Sequence, residues 1–159
     1  MTAIGCTGHQ TLSPRTRRRV AAALAAHIAK AEDGTVGLCS LAVGADQIFA
    51  HVLLAGGGRL HAIIPCQGYA DTFGDEAARQ EFERLLSAAH EVTELPFPSP
   101  SEEAFMAAGR EVADRCDLLL AVWDGQPAAG LGGTADVVSH AAERGKPVEV
   151  VWPEDASRS

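Results

Sequence analysis

The six residues Leu118–Trp123 (LLLAVW) limit the fold more than any other stretch of this chain. The run is too short for a helix, shows no polar alternation, and is bounded by Asp117 and by Asp124-Gly125. Such a segment reads as a strand buried on both faces, and strands of that kind belong to parallel sheets with helices packed on either side. The sequence after it agrees. A glycine-rich loop carries Gly130, Gly132 and Gly133, then Thr134 can cap a helix that places Val137, Val138 and Ala141 on its inner face. Gly145, Lys146 and Pro147 end that helix, and Val148–Trp152 form another strand. A glycine loop feeding a helix N-terminus gathers backbone N–H groups and the positive end of the helix dipole at one point, which suits a phosphate or another anion.

The same alternation runs through the rest of the chain. Ala3–Thr7 is a first strand, and Gly8, His9 and Gln10 form its exit loop. Ser13 caps a helix with Pro14 at its first position, and Val20, Leu24 and Ile28 follow at helical spacing. Arg15, Arg17, Arg18 and Arg19 stand in its opening turns against the dipole. They read either as a solvated basic face or, for Arg15, as a reach toward a ligand phosphate. Val36–Leu41 is the second strand, with Gly44 and Asp46 in the exit that starts the next helix. Asp46 fits a helix-start carboxylate and equally an acceptor for a sugar hydroxyl or base amine. Arg59–Pro65 is the third strand, followed by a loop, CQGYADTF, whose Tyr69 is suited either to covering a ligand or to packing. Residues 75–89 form an amphipathic helix with Phe82, Leu85 and Leu86 inward. Glu91–Leu95 is the fourth strand, and Ser101 opens the helix that leads back to Leu118.

The order βαβαβαβαβαβ implies one α/β domain over residues 1–153: a single-domain, three-layer, Rossmann-like doubly wound sheet, mostly parallel, of about six strands. Residues 154–159 (EDASRS) read as a polar, disordered tail. Ligands in such sheets bind at the carboxyl ends of the strands near the switch in strand order. Three polar or glycine-rich exits converge there: Gly8–Gln10, Gly44–Asp46 and Gly130–Thr134. Neither a GxGxxG unit with its acidic partner nor a GxxxxGK[ST] loop is present, so a dinucleotide fold of the usual kind and a P-loop enzyme lose weight.

A net charge of −8 disfavours duplex nucleic acid and anionic membranes as partners. With only two tryptophans and one tyrosine, a single-strand binding groove lined by stacking rings is also disfavoured. No apolar run is long enough to span a bilayer, and MTAIGCTGHQ lacks the pattern of a signal peptide, so a cytoplasmic location is expected. Cys6, Cys39, Cys66 and Cys116 form no CxxC pair and read as reduced, buried side chains; no metal site is expected.

TGHQ after the first strand, GAD after the second, and CDLLLAVWDG…GGTADVV…GKPV near the end together resemble the SLOG superfamily. This Rossmann-like group includes the lonely-guy (lysine-decarboxylase-like) phosphoribohydrolases, DNA-processing protein A and the molybdenum-cofactor carrier proteins. The resemblance spans Ala3–Pro153 and implies a nucleotide or nucleotide-derived ligand with its phosphate on the GGT loop. It also implies a homodimer, to which the alanine-rich helix after Pro14 is suited. The chain departs from the phosphoribohydrolase motif PGGxGTxxE, however. Counted from Gly133, the glutamate position is Val137, which cannot act as a base or stabilise an oxocarbenium-like charge. Asp136 lies one residue earlier, a rotation of about 100° on a helix. The family arginine falls at Ala108, with Arg110 nearby, and the proline before the glycines is absent. The nucleoside deoxyribosyltransferases, with a similar SGTAxE segment, have their nucleophile at the same Val137.

The expectation is therefore a binding protein, a sensor or carrier without the hydrolase site, whose ligand contacts are Gly8, His9, Gly44, Asp46, Asp124, Gly132, Gly133 and Thr134. A nucleotide ligand is expected, with no certain cofactor. The alternative is an N-glycosidic or phosphoribosyl hydrolase or transferase acting on a nucleoside monophosphate. Its catalytic candidates are Asp136, Asp124 and His9, with Asp46 as a further possible carboxylate.

Overall fold

The computed structural model describes residues 2–127 and 133–159. In chain order the elements are β1 (Ala3–Gly8), α1 (Pro14–Ala29), β2 (Val36–Cys39), α2 (Ala45–Ala55), β3 (Arg59–Ile64), a 3₁₀ turn (Tyr69–Thr72), α3 (Glu76–Ala88), β4 (Glu91–Glu94), α4 (Glu102–Arg115), β5 (Leu118–Val122), α5 (Thr134–Glu143) and β6 (Val148–Val150). The starts follow local chemistry. The Ser13 hydroxyl accepts from the Thr16 N–H with Pro14 just inside α1, Asp75 accepts from Ala77 N–H, and Ser101 accepts from Ala104 N–H. Helix α4 ends where the Lys146 ammonium donates to the carbonyls of Asp114 (3.1 Å) and Cys116 (2.8 Å), a cation on carbonyls that have no helical partner.

The six strands form one sheet in the order β4-β3-β2-β1-β5-β6, and all five pairings are parallel. The expectation of a mostly parallel doubly wound sheet is met. The chain builds outward from β1 to the β4 edge, then returns through α4 to lay β5 on the other side of β1. The switch in strand order thus falls between β1 and β5, whose register pairs Ile4 with Leu118 and Gly8 with Val122. Asp117 fixes the start of that register: its N–H donates to Ala3 O (2.7 Å) and its carboxylate accepts from Ala3 N–H (2.9 Å).

Neighbouring strand residues divide the core into two layers. Cys39, Ile64, Leu120 and Val122 pack with α1, α2 and α3 residues such as Leu24, Phe49 and Phe82. Leu38, Ile63 and Leu119 pack with α4 and α5 through Met106, Val112, Val137 and Ala141. Each apolar strand therefore feeds both faces, as the unbroken LLLAV run requires. The two edge strands carry glutamates, Glu91 and Glu94 on β4 and Glu149 on β6, which discourage edge-to-edge pairing. All four cysteines are buried free thiols.

The tail departs from the sequence reading. Ser157 N–H donates to Thr16 Oγ1 (2.8 Å), Ser13 N–H donates to Ser157 O (3.1 Å), and the Arg19 guanidinium donates to Glu154 O. Residues 154–159 are thus strapped across the start of α1 rather than disordered, because α1 offers hydroxyl and guanidinium partners to the tail backbone. Among the described residues no helix is long and apolar enough to cross a membrane.

Candidate functional site

The exits of β1, β2, β3 and β5 surround a cavity of about 710 Å³ at the carboxyl ends of the strands, beside the β1/β5 switch. That volume lies within the range usual for small-molecule sites. The starts of α4 and α5 and the tail residue Arg158 close its sides.

Its floor is a knot of backbone. His9 N–H donates to Val122 O (3.0 Å), and Ala45 N–H donates to His9 O (3.1 Å), joining the β1, β5 and β2 exits. This close approach needs glycine at two places. A Cβ on Gly8 would stand 2.5 Å from Ala45 Cβ and 2.7 Å from Val122 Cβ. Gly44 has φ +88° and ψ −124°, and a Cβ there would meet His9 O at 2.5 Å. Gly44 thus holds two loops together and does not line the cavity, whereas Gly8 and His9 do.

Asp46 lines the cavity but turns largely inward. It is buried, and its Oδ2 accepts from the N–H groups of Ser40 (3.0 Å) and Ala42 (3.4 Å), bracing its own loop. Burial pushes its carboxyl up to about 7, against the lowering pull of those two hydrogen bonds. Next to it Leu41 holds a left-handed φ of 58°, fully buried, and Gln47 clamps that turn by donating to Leu41 O (3.2 Å) and Ala78 O (3.3 Å). A left-handed leucine persists only where such contacts over-determine it.

His9 and Asp124 meet across the β1 and β5 exits. Asp124 N–H donates to His9 Nε2 (3.0 Å), and the Asp124 carboxylate lies 3.2 Å from the same nitrogen. An Nε2 that accepts from a backbone N–H belongs to neutral imidazole, and the carboxylate contact would need the protonated ring. Burial first, and the nearby Arg158 charge second, hold His9 below its usual pKa, so the neutral ring accepting from the backbone is the form at pH 7. Trp152 packs edge-on against the ring at 5.6 Å. The Asp124 carboxylate accepts from Gln126 N–H (3.0 Å), which keeps its pKa low, and Arg158 sits 3.6 Å from its other oxygen.

At the start of α5 the N-cap is Gly133, with no side-chain cap bond, and Thr134 is the first helical residue rather than the cap that the sequence suggested. Gly133 O takes the N–H groups of Asp136 (3.1 Å) and Val137 (3.3 Å). Among the described residues the N–H groups of Thr134 and Ala135 have no acceptor, and both residues face the cavity. Gly130 and Gly132, with the turn expected of them, lie outside the described residues. Val137 is buried at the base of the cavity, against α4: a Cβ on Gly109 would stand 2.5 Å from its Cγ2. Asp136 is not among the cavity-lining residues, nor is Arg15, which is exposed.

The far side is aromatic. Tyr69, Phe73 and Phe105 line the cavity, and Tyr69 makes ring contacts with Phe73 (5.4 Å), Phe82 (5.4 Å) and Phe105 (6.2 Å). Phe73, Phe105, Glu102 and Arg158 were not among the residues that sequence reasoning selected. Phe105 has the periodicity of a core position, yet it is 36% exposed toward the cavity side of α4. Arg158 had no local signal, being the single cation of a short polar tail.

No family model and no curated protein matches the sequence. Solved structures do match the fold. DNA processing protein A from Streptococcus pneumoniae superposes with a TM-score of 0.74 at 19% identity, over 97% of this chain and 51% of that one, so the chain spans about half of that relative's length. DNA processing protein A from Helicobacter pylori, described for its single-stranded DNA binding mode, gives 0.69 at 20% identity over 98% and 68% of the two chains. The molybdenum cofactor binding protein from Rippkaea orientalis gives 0.64 at 19% identity over 96% and 77%. The chain has the Rossmann-like fold of these proteins, and the resemblance to the SLOG superfamily holds at that level.

Proposed function

We propose that this chain binds a nucleotide or nucleotide-derived small molecule and serves as a sensor or carrier without the hydrolase site of the phosphoribohydrolases. The observation that carries the reading is the start of α5: two N–H groups without acceptors among the described residues, at the positive end of a helix, opening into the cavity at the strand ends. Arg158 borders the same cavity and adds a positive charge to its wall. Likeness to a molybdenum cofactor binding protein supports a bound small molecule in this kind of fold. Net charge of −8 weighs against the single-stranded DNA of the Helicobacter pylori relative, since local N–H groups can hold one phosphate but not a long anionic strand.

The N-glycosidic enzyme reading has less support. Val137 is apolar at the cavity base, Asp136 does not line it, and His9 Nε2 is engaged by a backbone N–H. The decisive variant is Gly133→Asp. Gly133 has φ −71° and ψ 169°, which any residue adopts, and an aspartate N-cap stabilises a helix by about 1 kcal/mol. Its carboxylate would take the Ala135 N–H and set a negative charge against the phosphate. Calorimetry against AMP, GMP, CMP and UMP should show binding to the unaltered chain and at least a tenfold loss in Gly133→Asp, with its melting temperature unchanged or raised. Equal affinity in both proteins would overturn the phosphate assignment. Native mass spectrometry of protein purified without added nucleotide reports both a retained ligand and the homodimer included in this proposal, for which the exposed Ala22, Ala25 and Ala26 of α1 offer a flat face.

A further inference from the structure

The inner, β3 side of the cavity carries a feature that packing does not explain. The Tyr69 ring is packed away, the residue being 7% exposed, yet among the described residues its hydroxyl forms no hydrogen bond and is not one of the buried polar atoms left without a partner, so the oxygen opens into the cavity that the residue lines. A hydroxyl held at a cavity wall by a packed ring is satisfied by solvent that a ligand atom can replace. The Asp46 carboxylate is near enough for its charge, after burial, to hold the phenol protonated, so the hydroxyl keeps its donor hydrogen. Phe73 and Phe105 flank the same space with ring surface, and the half-buried Thr7 and Ser40 complete the polar margin on the β1 and β2 exits. A hydroxyl donor and a carboxyl group beside two aromatic rings match a flat ligand with polar atoms on its edge.

We infer that this end of the cavity is the subsite for a planar nitrogen heterocycle: Phe73 and Phe105 contact its face, and the Tyr69 hydroxyl with Asp46 hydrogen-bonds its edge. The inference rests on the phosphate reading of α5 and adds the chemical class of the other half of the ligand. A purine, a pyrimidine and a pterin share this chemistry. Ribose 5-phosphate shares the phosphate alone.

The test compares binding of AMP, UMP, a pterin monophosphate and ribose 5-phosphate by calorimetry to three proteins: the unaltered chain, Tyr69→Phe and Phe105→Ala. Tyr69→Phe keeps the ring among Phe73, Phe82 and Phe105 and deletes only the hydroxyl. It should weaken the preferred heterocyclic ligand roughly three- to tenfold, the value of one hydrogen bond, and leave ribose 5-phosphate unchanged. Phe105→Ala should weaken the heterocyclic ligands by fivefold or more through lost stacking, again without effect on ribose 5-phosphate. The heterocycle bound most tightly by the unaltered chain identifies the source. Heterocyclic ligands that bind the unaltered chain and both variants equally would overturn the subsite while leaving the phosphate reading intact. Equal losses for ribose 5-phosphate would overturn it too, by showing a structural effect. Failure of the unaltered chain to bind any of the four would sink the phosphate reading, and this inference with it.

Discussion

Asp46→Asn should make the chain more stable at pH 8 than at pH 4, relative to the unaltered protein. In the fold Asp46 titrates at about 7, against 3.8 for an unperturbed aspartate. The native state therefore binds the Asp46 proton across an interval where the unfolded chain has released it. Stability from this group is fully present below the unfolded value, declines as pH rises from about 4, and is gone above about 7, where the buried carboxylate is charged. About three pKa units at 1.36 kcal/mol each give roughly 4 kcal/mol. Among the described residues the titratable groups coupled to it are Cys6, Cys39 and Tyr69, all held neutral at pH 7 by burial and by Asp46 itself. The asparagine Oδ1 can still accept from Ser40 and Ala42, so the loop brace remains while the charge goes. For a domain of this size, 1 kcal/mol moves the melting temperature by about 2–4 °C. The difference between variant and parent should thus widen by roughly 8–16 °C between pH 4 and pH 8, then level off. Other carboxylates titrate in both proteins and cancel in the difference. Parallel melting curves at pH 4, 5, 6, 7 and 8 measure it directly. A difference that stays constant over that range would refute the burial argument for Asp46.

Two further outcomes follow from the same loops. Gly44→Ala and Gly57→Ala share a positive φ, +88° and +82°, but a Cβ at Gly57 meets nothing within 4 Å, whereas at Gly44 it meets the backbone of His9 and Gln10. Urea titration should therefore show about 1 kcal/mol lost for Gly57→Ala and at least about 3 kcal/mol for Gly44→Ala, and equal losses would remove the steric argument. Arg158→Gln should raise the His9 pKa toward its ordinary value, because the guanidinium charge opposes protonation of the ring; histidine ring shifts followed by NMR would show it, and an unchanged or lowered value would detach the tail from the site.

The layered fold was legible because its signals are short-range. Apolar runs such as LLLAV, the Ser13-Pro14 and Ser101 starts, and the Gly-Lys-Pro stop all act within a few residues of where they are written. What escaped the sequence depends on neighbours far along the chain. Asp46 looks like any first-turn carboxylate until the β2 exit bends back, with Leu41 left-handed, and offers it two N–H groups. Gly44 was chosen as a ligand contact, yet its conformation serves the β1 exit that crosses over it. EDASRS has the composition of a disordered tail, and it is the start of α1, through the Thr16 hydroxyl 141 residues earlier and the Ser13 N–H, that gives the Ser157 backbone its partners. The 3₁₀ turn at Tyr69–Thr72 has no periodicity to read; it is ordered by aromatic contacts with α3 and α4.

The seam between Gly109 and Val137 decides which side chain position 137 can hold. Position 137 is where the resembling phosphoribohydrolases carry glutamate, and here it is both the base of the cavity and the tooth of an interlocking pair of helices. A glutamate at 137 would bring a longer, charged side chain into a notch cut for one methyl group, among Met106, Val112 and Ala141. A carboxylate at 137 would thus need coordinated changes on α4 and α5. Its cost is set by the packing of the helix layer beneath the cavity.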